Sequence, residues 1–128
     1  MRFIPTGLHG ILDYSVGAIL AAAPWLFGFA RGGAETWVPV ALGLGAVGYS
    51  LFTDYEWGLV KRIPMPVHLG LDVGSGVLLA ASPWAFGFAD AVWQPHLLFG
   101  LFEVTAGLLT KLRPELSRRP VGPAVGMS

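Results

Sequence analysis

The chain has 128 residues, 54% of them hydrophobic and only 12% charged, with eight basic side chains balancing eight acidic ones. A soluble domain ordinarily carries roughly 25% charged residues, so this composition favours a surface that faces lipid, and electrical neutrality leaves no basic footprint for a nucleic acid. The absence of cysteine excludes disulfides, thiolate metal sites and a thiol nucleophile.

Four apolar stretches follow one another, over about 8–30, 38–57, 67–89 and 95–112. They are too long, too rich in Ala, Leu and Gly, and too free of period-two alternation to be strands. Each is about the length that a helix rising 1.5 Å per residue needs to cross a hydrocarbon core of roughly 30 Å. The predicted fold is therefore an all-α integral membrane protein with four transmembrane helices. The first stretch holds His9 and Asp13 and ends in Pro24-Trp25-Leu-Phe27-Gly28-Phe29. It resembles a signal peptide only in position, because the same pattern recurs inside the chain. The second stretch carries Gly43-Leu-Gly45-Ala-Val-Gly48. That spacing imitates a dinucleotide loop, but without a preceding strand it is better explained by close helix packing. Asp54 and Glu56 follow beside Lys61 and Arg62, where interfacial ion pairing is expected.

The third stretch repeats the first. His9-Gly-Ile-Leu-Asp13 returns as His68-Leu-Gly-Leu-Asp72, and Ala23-Pro24-Trp25 returns as Ser82-Pro83-Trp84. The offset is 59 residues, with 15 of 27 positions identical between 4–30 and 63–89. Such self-similarity marks a duplicated supersecondary unit. Repeat one is expected over about 4–60 and repeat two over about 63–112. Together they make a membrane domain, 1–112, followed by a flexible cytoplasmic tail, 113–128. His9, Asp13, Gly17, Leu20 and Pro24, with their counterparts His68, Asp72, Gly76, Leu79 and Pro83, trace one helical face that should be buried between helices. Gly70-x-x-x-Gly74 is expected to add a second close-packing pair. The two prolines each remove a backbone donor near the end of a helix, so a kink or early termination is expected there.

The fourth stretch breaks the repeat. Glu103 falls about ten residues after Trp93, near the middle of the span, and His96 lies two turns earlier on the same face. Aligning the tryptophans that open the even stretches, Trp37 and Trp93, places Val47 opposite Glu103 and Val40 opposite His96. The partner expected for a protonated Glu103 is Tyr14, Ser75 or a carbonyl.

Seven of the eight basic residues lie before the first stretch, between the second and third, or at and beyond the end of the fourth. The positive-inside rule places that side, with both termini, in the cytoplasm. Trp25, Trp37, Trp84 and Trp93 then mark the outer interface and Trp57 the inner one.

The motif Ser82-Pro83-Trp84 with its variant Ala23-Pro24-Trp25, each near the end of the first helix of a two-helix unit and trailed by Phe-Gly-Phe, resembles the SPW-repeat family of small prokaryotic integral membrane proteins. The resemblance covers about residues 4–112. It implies two tandem two-helix repeats related by a pseudo-two-fold along the membrane normal, a prokaryotic cytoplasmic membrane location, and no established enzymatic activity.

Ionisable groups in a spanning helix are costly. His9, Asp13, His68 and Asp72 form two i,i+4 pairs just inside the cytoplasmic boundary, close enough to the repeat axis to meet as one polar cluster. With Glu103 and His96 they are the candidate site. No nucleophile–base set, phosphate loop or metal signature of fixed spacing is present, so neither catalysis nor a cofactor is expected. The first expectation is a membrane scaffold or interaction subunit that meets the lipid bilayer, a second copy of itself or another membrane protein, and no nucleic acid. The alternatives are a proton- or ion-conducting oligomer, and a redox accessory associated with haem or quinone; at a metal or haem site His9 and His68 would be the ligands, with Asp13 and Asp72 orienting them.

Overall fold

The computed structural model describes residues 1–114, so all but the start of the expected tail lies outside the described residues. Four helices follow one another: α1 (Thr6–Leu26), α2 (Ala34–Leu51), α3 (Met65–Ala85) and α4 (Gln94–Leu109), and no strand occurs among the described residues. α1 packs along α2 and α3 along α4, while α2 meets α3 to join the two pairs.

The duplicated sequence builds duplicated ends. Pro5 and Pro64 are the N-cap residues of α1 and α3, with φ and ψ alike to within a degree. A ring that fixes φ and removes a donor costs nothing at a position outside the helical ladder. At the other end Pro24 and Pro83 do not terminate their helices, which continue for two more residues. Termination comes from Gly28 and Gly87, whose φ of 71° and 74° is a left-handed turn that glycine adopts without a Cβ clash. The N–H groups of Phe29 and Ala30 then return to the Pro24 carbonyl, and those of Phe88 and Ala89 to the Pro83 carbonyl.

This turn is why α1 and α3 end four residues before the apolar stretches that run on to about 30 and 89. The Phe-Gly-Phe residues are apolar but no longer helical. α2 likewise ends at Leu51, six residues before Trp57, and the chain folds back so that Asp54 N–H donates to Ile63 O and Ile63 N–H to Phe52 O. The helices have 21, 18, 21 and 16 residues. Of the four, α3 alone is long and apolar enough to cross a membrane by length and composition, fewer than the four expected.

The serine of Ser82-Pro83-Trp84 has a local task. Pro83 has no N–H for the carbonyl four residues earlier, and that carbonyl, Leu79 O, accepts instead from Ser82 Oγ at 2.7 Å. A hydroxyl thus restores a hydrogen bond that the proline removed. Ala23 cannot do this for Leu20 in the first repeat.

Glycines set the closest approaches within each repeat. A Cβ on Gly43 would lie 2.6 Å from Ala21 N and Gly17 O, and one on Gly100 would lie 2.5 Å from Ala80 N and Gly76 O. Backbones this near bring many atoms into dispersion contact across each helix pair. Gly70 and Gly74, expected to form such a pair, face open space, as do Gly45 and Gly48 of the glycine-rich pattern in α2. They lie off the contact face; only Gly43 of that pattern packs.

These contacts also correct the register. Gly17 meets Gly43 and Val47, and Gly76 meets Gly100 and Val104, so the even helices correspond at an offset of 57. Glu103 is therefore opposite Ala46, not Val47, and His96 opposite Pro39, not Val40. The tryptophans mislead because Trp37 lies within α2 whereas Trp93 is the N-cap of α4.

Candidate functional site

Every member of the repeated stripe is buried or nearly so, and its polar members meet at the end of the bundle formed by the starts of α1 and α3. His9 Nε2 lies 3.0 Å from Asp13 Oδ1 and 2.8 Å from Asp72 Oδ2; His68 Nε2 lies 3.0 Å from Asp13 Oδ2 and 3.3 Å from Asp72 Oδ2. Each imidazole therefore touches the carboxylate of its own helix and that of the other repeat. The two rings meet edge to face with centroids 5.5 Å apart. With both carboxylates against the Nε2 atoms, no flat slot remains between the imidazoles for a macrocycle.

The other face of each ring is held across the repeats. His9 Nδ1 is 2.7 Å from Thr110 Oγ1 and His68 Nδ1 is 2.7 Å from Thr53 Oγ1. Each threonine hydroxyl gives its proton to a carbonyl one turn back, Thr110 to Ala106 O at 2.6 Å and Thr53 to Tyr49 O at 2.7 Å. With that proton committed, the threonine oxygen can only accept, so both Nδ1 atoms carry hydrogen and both Nε2 atoms point into the centre. Backbone pairings repeat the exchange: Ile4 bridges to Thr110, and Ile63 to Thr53. Neither repeat orients its own histidine.

Two tyrosines complete the enclosure, and they obey no symmetry. Tyr49 donates through a very short hydrogen bond to Asp72 Oδ1, and Tyr55 donates to Asp13 Oδ2 at 2.8 Å. The position equivalent to Tyr49 is Ala106. There, beside His9, Asp13 and Asp72, lies a cavity of about 20 Å³, whose wall also includes Ala46 and Glu103. That volume is enough for a single water molecule. Glu103 accepts from Ser75 Oγ at 3.0 Å, one of the partners anticipated for it.

Of the six candidates, five thus gather at or beside the centre, and His96 does not. It lies at the opposite end of the bundle, between Phe29 and Phe88, with ring centroids 5.1 and 4.8 Å away, and its Nε2 donates to Glu35 O at 2.9 Å. Since Phe29 and Phe88 are repeat partners, His96 joins the two halves there as the His–Asp centre does at the other end. Asp54 and Glu56 were expected to pair with Lys61 and Arg62. Glu56 accepts from Thr6 Oγ1 at 2.8 Å, tying the α2–α3 connection to α1, and Lys61 Nζ donates to Tyr55 O. Trp57 ties the α2–α3 connection to α1: its Nε1 donates to Gly7 O, and its ring covers Gly10.

A family model, the SPW repeat domain, matches residues 7–110. The chain belongs to the SPW repeat family. That family suggests a small membrane protein, and the SPW repeat domain is not a known enzyme family. Comparison with curated proteins and with solved structures returns no match. Four residues of the centre escaped the sequence reading: Tyr49, Tyr55, Thr53 and Thr110. The threonines were open to detection, because they obey the same 57-residue offset as the packing glycines.

Proposed function

We propose that this SPW repeat protein is a multi-pass membrane module that works by binding and assembly rather than catalysis, with the His–Asp centre clamping its two repeats near the cytoplasmic face. The observation that carries the membrane reading is an inversion of polarity. Buried side chains include Thr6, His9, Thr36, Thr53, His68, Asp72 and Thr110, whereas Ile11, Ile19, Leu44, Val77, Leu98 and Leu101 are each more than 40% exposed along the helices. Water would reverse that distribution; lipid favours it, because every buried polar group then needs a partner and apolar groups need none. Helices shorter than the bilayer core, α4 above all, would be accommodated by local thinning and by interfacial aromatics. The paired rings Trp25–Trp37 and Trp84–Trp93 support an outer interface at that end.

The test is fractionation with topology mapping. The protein should stay with membranes through alkaline washing, and reporters fused at either terminus should read as cytoplasmic. Recovery as a soluble monomer without detergent would end the membrane reading. As a clamp, the centre should control stability and assembly: Asp13→Asn with Asp72→Asn should lower the melting temperature and alter the oligomeric state, and unchanged values for both would remove its structural role.

A conducting assembly is the second reading, favoured by the water-sized cavity that links the centre to Glu103. Beyond Glu103 the α3 and α4 backbones meet at Gly76 and Gly100, so conduction would need that contact to open. Proton flux into liposomes no greater for wild type than for Glu103→Gln would dispose of it.

A further inference from the structure

We propose that the His–Asp centre is a binding site for one divalent first-row transition-metal ion, held by His9 Nε2, His68 Nε2 and one oxygen each of Asp13 and Asp72. This deepens the reading of the centre as a binding element and stands or falls separately from the membrane reading. The four ligand atoms lie within 4.8 Å of one another; Asp72 Oδ2 is 2.8 Å from His9 Nε2 and 3.3 Å from His68 Nε2, while Asp13 meets His9 through Oδ1 and His68 through Oδ2, each at 3.0 Å. A tetrahedral ion with bonds of about 2.0–2.1 Å places its ligands roughly 3.3 Å apart. To accept one, the closest nitrogen–oxygen pairs must open slightly and the most widely spaced ligand atoms must draw together.

Three further observations point to an ion. First, His68 is wholly buried, and its Nε2, aimed into the centre, makes no hydrogen bond of acceptable geometry although two carboxylates lie near it. A ring nitrogen beside carboxylates but out of line with them suits shared coordination better than hydrogen bonding. Second, both histidines donate Nδ1–H to a fixed oxygen, the arrangement that presents Nε2 lone pairs to a metal. The Asp72 carboxylate is oriented likewise, since Tyr49 holds the oxygen that faces away from the histidines; Tyr55 holds Asp13 by Oδ2, which leaves Oδ1 the Asp13 oxygen without a tyrosine partner. Third, the charges balance. Two carboxylates neutralise one divalent cation, and an uncharged complex is the least costly state in a low-dielectric site.

Two imidazoles with two carboxylates form a borderline donor set. It suits Zn(II), Co(II), Fe(II) or Mn(II), and four ligands favour Zn(II). Mg(II), which demands six oxygens and keeps its water, does not fit.

The experiment uses the full chain in detergent, stripped with a chelator and titrated with Co(II). Co(II) should give the intense visible bands of a tetrahedral site at one ion per chain, Zn(II) should displace it, and Mg(II) should not. Melting temperature should rise with free Zn(II) concentration. Asp72→Asn should abolish binding. Tyr49→Phe, which leaves all four ligands in place, should keep its helix content and bind about 10–100-fold more weakly. Wild-type protein that shows only the pale spectrum of hydrated Co(II) and melts identically with and without Zn(II) would overturn the proposal, leaving a proton-sharing network. A folded Asp72→Asn variant that binds as tightly as wild type would overturn it too, by placing the ion elsewhere.

Discussion

Replacing Gly100 by alanine tests whether backbone contact holds each repeat together. The added Cβ would meet Ala80 N and Gly76 O at 2.5 Å and Ala80 Cβ at 2.7 Å. Carbon contacts are optimal near 3.5–4.0 Å, so α3 and α4 must part by roughly 1 Å, forfeiting a quarter to a half of each contact across the interface. Overpacking of this kind costs about 1–3 kcal/mol. Alanine's better helix propensity returns about 1 kcal/mol, so the net loss should be up to about 2 kcal/mol. Gly70→Ala provides the internal standard. Nothing lies within 4 Å of its new Cβ, so propensity acts alone and the variant should be more stable by about 0.5–1 kcal/mol. Both would be measured by thermal unfolding in the same detergent, followed by circular dichroism. Opposite signs are expected. If Gly100→Ala melted at or above wild type while Gly70→Ala melted below it, the glycine contacts would not be what holds α4 to α3.

Thr53→Val and Thr110→Val each preserve shape and remove the acceptor of a buried imidazole N–H. Each should cost about 1–3 kcal/mol, in similar measure, and a large inequality in their unfolding midpoints would contradict the symmetric exchange. Tyr55→Phe deletes the donor to Asp13 and should cost about 1.5–3 kcal/mol, the range for a hydrogen bond to a charged acceptor. Restoration of full stability by that variant would show Asp13 to be otherwise satisfied. Ser82→Ala leaves the Leu79 carbonyl without the hydroxyl that Pro83 made necessary. A loss of about 1 kcal/mol is expected, with Ala23→Ser giving a gain in the first repeat, both read from melting curves.

The architecture was legible wherever the repeat carried it. The 59-residue offset announced two units, and the steps from His9 to Pro24 and from His68 to Pro83 announced the buried face, because helical periodicity depends only on neighbours along the chain. What crosses between helices was less visible. Gly70 and Gly74 have the spacing of a packing motif but lie on the wrong face, a distinction that requires knowing where the neighbour sits. The register of the even helices was misread by one residue, since aromatic rings mark an interface and not a position in a helix. Tyr49 and Tyr55 were hidden because they have no repeat partner, and reach Asp72 and Asp13 only after the chain reverses at Thr53.

The exchange of threonines between the repeats has a further consequence. A half-length chain folded as in repeat one would carry a histidine and an aspartate at one end and, at the other, a threonine positioned for someone else's histidine. Two such chains related by a two-fold axis would satisfy each other completely, as an isologous dimer whose centre lies on the axis. Fusion into one chain frees the halves from identity. In a homodimer of repeat one, Tyr49 would appear on both sides and close the cavity; in a homodimer of repeat two, Glu103 would appear twice and crowd two carboxyls together. A covalently joined pair can place a tyrosine against Asp72, an alanine in the equivalent place beside Asp13, and a single glutamate at the edge of the space that results.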